Sequence, residues 1–164
     1  MAFYMTAESS AEFNSRRNIL VKVSGDLIDR DEFYDWFKSI ISKAVNVVII
    51  CGGGSAISEE LDRRGISYYF GPAGRKIASL EGIALAYQVL VKQKEIVEEK
   101  LRAKGINCQV DMPVVEIGDM KCLVNGDDYA MTLYPNFDRV YIATLQGRIK
   151  KIPDGYARAE IVSF

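Results

Sequence analysis

Lys22 lies inside the apolar run "NILVKVSG" (18–25), and its position raises a chemical question at once. An ammonium is costly to bury in such a run unless an anion meets it. One reading is a cation for a phosphate. The other is an edge strand whose lysine reaches water along its own stem. A second feature follows in "NVVIICGGGSAISEEL" (46–61), where an apolar run meets Gly52, Gly53 and Gly54 and then turns helical. Glycines let backbone N–H groups come close to an anion, and the helix start adds more donors. The alternative is a plain strand-to-helix turn with positive φ. Two nucleotide loops are excluded, because there is no Gly-Lys pair for GxxxxGK[ST] and Ile57 stands at the third glycine of GxGxxG.

Two more segments carry charge at useful places. "GPAGRKI" (71–77) brings Arg75 just ahead of a long helix, as a fork for a carboxylate or phosphate or as a solvated loop arginine. "VNGDDYA" (124–130) brings Asp127 and Asp128 to a helix start, where they cap it or position lysines or Mg²⁺. Histidine is absent, which removes Ser-His and Cys-His catalysis and histidine-ligated metals. Three cysteines, Cys51, Cys108 and Cys122, are far apart and form no CxxC, so neither a disulfide framework nor a zinc site is expected.

The elements that must position these residues follow from periodicity. With 21 basic and 22 acidic residues the charge is balanced, which argues against nucleic acid or an anionic membrane as a partner. Strands are expected at 18–25, 46–51, 67–70, 108–115, 121–124 and 139–144, with weaker ones at 148–152 and 158–164. Helices are expected over 29–44, 55–65, 79–105 and 126–134, the second capped by Ser55 or Ser58. Alternation of this kind predicts an α/β fold, a three-layer α/β/α sandwich around a mostly parallel sheet. Ligands in such folds sit at the carboxyl ends of strands, where Lys22 and the glycines fall. Residues 1–17 are expected to be a leader or edge segment and 18–164 a single domain. A cytoplasmic location is expected, with no membrane span.

In this order, "ILVKVSGDLI", "VVIICGGGSAISEEL", "GPAGRKI" and "VNGDDYAMTLYPNFDRVYIATLQG" resemble the amino acid kinase superfamily, most closely its acetylglutamate kinase-like members. The resemblance covers Ile19 to Gly147. It implies phosphoryl transfer from ATP·Mg²⁺ to a small carboxylate or phosphate acceptor, with no resident metal site of the protein's own. It implies that Lys22 neutralises the transferring group and that Asp127 holds that lysine. It places acceptor and phosphate contacts at Gly25, Gly52, Gly53, Gly54, Arg75 and Asn125, and nucleotide contacts at Thr144 and Gly147. It also implies a small anionic metabolite as partner and a homodimer or higher homo-oligomer.

Departures from the family pattern shape a second expectation. Thr144 stands where the family has an acid, and Leu123 where it has an acceptor-binding Asn. The chain ends at Phe164, before the segment that carries the family's second phosphate lysine and most of its nucleobase pocket. Lys150 or Lys151 would be the replacement. The alternatives are an oligomeric binding or regulatory relative that keeps the anion pocket without ATP, or a fragment of a longer kinase.

Overall fold

The computed structural model describes residues 17–42 and 44–164. The expected leader therefore falls, apart from Arg17, outside the described residues. Five strands form the central sheet: β1 (Arg17–Val23), β2 (Ala44–Cys51), β5 (Gln109–Asp111), β8 (Arg139–Thr144) and β9 (Ala159–Ser163). Their order is β5-β2-β1-β8-β9 and every pair is parallel. The first strand among the described residues is thus the centre of the sheet. β1 and β8 flank the point from which the chain winds outward in both directions.

Helices cover both faces. α1 (Asp31–Ile40), α2 (Gly54–Arg63), α3 (Leu80–Ala103) and α4 (Gly126–Leu133) connect the strands. On one face Ile19, Val21 and Val23 of β1 pack with Phe33, Tyr34 and Phe37 of α1 and with Val97 and Leu101 of α3. On the other, Leu20, Ile50, Val140 and Ile142 pack with Ala130 of α4. Side chains alternate along a strand. Lys22 therefore shares a face with Leu20 and points toward α4, not toward α1. A third cluster joins α2 and α3 through Ile57, Leu61, Ala86, Val89 and Leu90.

Two hairpins stand apart from this sheet: β3 (Tyr68–Gly71) with β4 (Gly74–Ile77), and β6 (Val114–Ile117) with β7 (Met120–Leu123). The strand expected over 108–115 is split into β5 and β6, because Pro113 has no N–H to continue a ladder. Arg75 lies on β4 rather than in a loop. The first helix is shorter than the expected 29–44, since β2 already begins at Ala44. The strand expected at 148–152 does not form, and residues 145–158 cross the sheet end without regular structure. Among the described residues no helix is long and apolar enough to cross a membrane.

The sheet centre is closed by a backbone contact that only glycine allows. A Cβ on Gly25 would lie 2.5 Å from the Gly53 carbonyl carbon and 2.6 Å from both Gly52 O and Gly54 N. None of these can move without shifting the loop after β2. We predict that Gly25→Ala lowers stability by about 1–3 kcal/mol, the usual cost of overpacking, read as a lower urea midpoint. An unchanged midpoint would contradict this packing of the two loops.

Candidate functional site

The ends of β1 and β2 open into a cavity of about 670 Å³. Lys22, Gly25 and Gly52 through Gly54 line it, together with Arg75 and Asn125. The fold thus brings together most of the residues singled out in the sequence. Asp127 sits just behind the wall, its Oδ1 2.9 Å from Lys22 Nζ. Its other oxygen accepts a hydrogen bond from Lys150 Nζ. One carboxylate is therefore shared by two ammonium groups, one from the central strand and one from the segment after β8.

The charges explain one another. Burial lowers the Lys22 pKa, and the nearby Lys150 and Arg148 push the same way, while Asp127 opposes them. Burial alone would raise the Asp127 pKa, but the Lys22 charge and the hydrogen bonds from Lys150 and Lys22 outweigh it and lower it. A second carboxylate, Asp26, accepts from the Ser55 N–H at 2.8 Å and pairs with Arg148. Arg148 also donates to Ser24 Oγ at 3.3 Å. Lys22, Lys150 and Arg148 thus face Asp26 and Asp127, three cations against two carboxylates. Along the cavity lining, Lys22, Arg75, Lys76, Arg148 and Lys150 stand against the single carboxylate of Asp128, so basic side chains are in excess there.

The glycine loop is more occupied than an open anion nest. α2 has no side-chain cap of its own, and neither Ser55 nor Ser58 serves as one. Asp26 reaches across from the turn after β1 and takes the Ser55 N–H instead. Gly54 has φ +58° and leaves no room for a side chain, since a Cβ there would lie 2.6 Å from Asp26 Oδ1. Asn125 caps α4 through its Oδ1, which accepts from the N–H groups of Asp127 and Asp128.

Arg75 is anchored within the protein. Its Nη2 donates to Gly54 O and to Ser58 Oγ, each at 2.9 Å. The guanidinium carbon lies 5.0 Å from the Phe70 ring centre and 5.8 Å from that of Tyr68, within cation–π range. Its Nε is buried with no partner. Sequence reasoning missed Arg148 and Asp26. The basic residues of "RIKKI" were a signal, but the segment read as a strand rather than as cations turned onto two carboxylates.

Thr144 and Gly147 stand elsewhere. Neither lines the cavity; Thr144 is fully buried at the end of β8 with its hydroxyl unpartnered, and Gly147 forms an open turn at φ +85°. Mg²⁺ does not fit the donor set either. Asp127 and Asp26 are both held by cations, and among the described residues no three acidic, cysteine or histidine side chains converge. Cys51 and Cys108 give no nucleophile, since burial pushes Cys51 up to about 12 and Cys108 to about 11.

No protein-family model and no curated protein matches the chain. Among solved structures it is similar to N-acetylglutamate synthase from Neisseria gonorrhoeae, complexed with coenzyme A and N-acetyl-glutamate. The TM-score is 0.55 and the identity 11%, over 90% of this chain and 46% of that one. What is shared is the fold. The chain spans about half the length of that neighbour. This corrects the kinase expectation: the matching fold belongs to a synthase holding coenzyme A and N-acetyl-glutamate, not to a kinase holding ATP and Mg²⁺. ATP, Mg²⁺ and the nucleotide roles of Thr144 and Gly147 are set aside with it.

The shared carboxylate has a measurable signature. Its lowered pKa means that Asp127 adds stability above its ordinary value of 3.8, and that this is lost as pH falls through the lowered folded value. We predict that Asp127→Asn costs about 3 kcal/mol at pH 7, the low end for breaking a buried pair. Asp127 is itself 26% exposed, which places it at that low end. The variant should also show a flatter loss of stability than wild type below pH 4, measured by denaturant unfolding across pH. Equal acid slopes for the two proteins would contradict the assignment.

Proposed function

We propose that the chain is a divergent member of the amino acid kinase superfamily whose cleft binds a small carboxylate metabolite. One observation carries this reading. Two lysines of the cavity wall converge on the single carboxylate of Asp127 just behind it, and basic side chains outnumber acidic ones along the lining. The fold similarity adds a chemical class, because the neighbour holds N-acetyl-glutamate, a carboxylate, and coenzyme A. We place the protein in the cytoplasm on its three free thiols.

In this reading Lys22 and Lys150 hold the carboxylate head and Asp127 keeps both ammonium groups in place. Gly52 and Gly53 let the backbone approach the ligand without a side chain in the way. Coenzyme A is tested beside the anions, since the neighbour's ligands put acyl chemistry rather than phosphoryl transfer next to this fold.

Calorimetry and thermal shift with acetate, N-acetyl-glutamate, inorganic phosphate and coenzyme A test the proposal. At least one carboxylate should bind to wild type and bind at least tenfold more weakly to Lys22→Met. Binding should also weaken as pH rises toward 10.5, because the lowered Lys22 pKa removes the charge early. Absence of binding by every carboxylate sinks the proposal, and preservation of binding in Lys22→Met removes its central residue.

A further inference from the structure

Between β8 and β9 the chain leaves the sheet and is held in an unusual way. The Gln146 N–H donates to Phe164 O, and the next backbone bond to another element is the one that Arg158 O accepts from the Val140 N–H. Between those points the backbone makes only local turns, from the Arg148 N–H to Leu145 O and from the Ala159 N–H to Tyr156 O. Ile149 is 90% exposed, and neither Ile149 nor Ile152 joins any of the three apolar clusters. Gly147 and Gly155 bound the span, at φ +85° and +92°, each with open space where a side chain would stand. Beyond Gly155 the chain is anchored again, with the Tyr156 ring edge-on to Tyr134 at 4.8 Å between centres. What ties residues 147–155 to the body is charge. Arg148 pairs with Asp26 and donates to Ser24 Oγ, and Lys150 pairs with Asp127.

We infer that residues 147–155 are a strap latched by charge, hinged at Gly147 and Gly155, whose docking sets whether Arg148 and Lys150 stand in the cavity wall. Glycine at positive φ turns the chain at each end without steric cost. Ordering the span costs conformational entropy, and the two latches oppose that cost with no ladder bond and no core side chain to help them. Water reaches both latches, since the Arg148 and Lys150 side chains are 43% and 26% exposed. Dissolved salt therefore weakens them. Lys22, Arg75 and Lys76 belong to β1 and β4 and stay in the wall when the strap lifts. Asp127 then keeps Lys22, and Asp26 keeps the Ser55 N–H. The strap thus makes two of the basic wall residues conditional on ionic strength. This goes beyond the carboxylate-binding reading and requires no ligand.

Limited digestion of the full chain with trypsin tests it. Lys151 lies within the span and is exposed, and cutting between Lys151 and Ile152 requires the segment to lift into the protease cleft. The cut is followed by mass spectrometry. Each rate is divided by that of a synthetic peptide of residues 145–158 carrying the same substitutions at the same salt concentration. Arg148→Gln and Lys150→Gln each remove one latch while leaving the Lys22–Asp127 pair and the Asp26 cap of α2 in place, and melting curves check that the variants fold. The double variant should be cut about tenfold faster than wild type at low salt, with each single variant between. Raising NaCl from about 0.1 M to about 1 M should speed the cut in wild type and leave the double variant unchanged. A double variant cut no faster than wild type, or a wild-type rate that salt does not alter, overturns the strap and leaves the carboxylate-binding reading untouched. The salt series on wild type decides the matter by itself if the double variant does not fold.

Discussion

Everything in this site depends on one buried ammonium. Lys22 sits on the central strand of a parallel sheet, between β2 and β8, and is almost withdrawn from water. An isolated charge there would be costly, so the fold must bring a carboxylate to it. Asp127 does so from the first turn of α4, where the Asn125 cap fixes the helix start. That single pair ties the middle of the sheet to the helix covering one face. It also sets where the segment after β8 must pass, because Lys150 completes the other side of the same carboxylate.

A second carboxylate repeats the arrangement one loop away. Asp26 accepts the first free N–H of α2 and pairs with Arg148. The electropositive start of α2, which would otherwise attract a ligand anion, already holds an internal one. The glycines therefore serve packing as much as binding. Gly25 lies against the Gly52–Gly54 backbone, and Gly54 needs its positive φ beside Asp26. Lys22 and Lys150 form one side of the cavity, and the other wall is the surface of the α2–α3 cluster. Polarity across this cavity thus follows from how two acids are used within the protein.

Several parts of this architecture were legible as sequence. The β-branched runs around Ile19 and Val48 gave the central strands, and the long apolar stripe from Ile83 to Leu101 gave α3. The family resemblance selected Lys22, Arg75 and Asp127, and the fold does bring these to one cleft or its back wall. The kinase reading did not survive, because motifs in order report common architecture more directly than the reaction performed on it. The basic segment 148–152 reads as a strand in sequence, but it forms none. Its cations point to Asp26 and Asp127, partners 122 and 23 residues away, which no local pattern reveals.

The sequence by itself determined the alternation of strands and helices, the absence of histidine chemistry and the presence of a lysine that must be neutralised. Those follow from composition and local periodicity, which each short segment carries whole. Only the tertiary structure decided which acid neutralises Lys22, that Asp26 caps α2, and that Arg75 is held by Gly54 and Ser58. Those are pairings across the chain, and a charge is matched by whatever the fold places within a few ångströms of it. The glycine triplet shows the division clearly: its flexibility is written in the sequence, but whether it meets a ligand or the protein's own carboxylate depends on what packs against it.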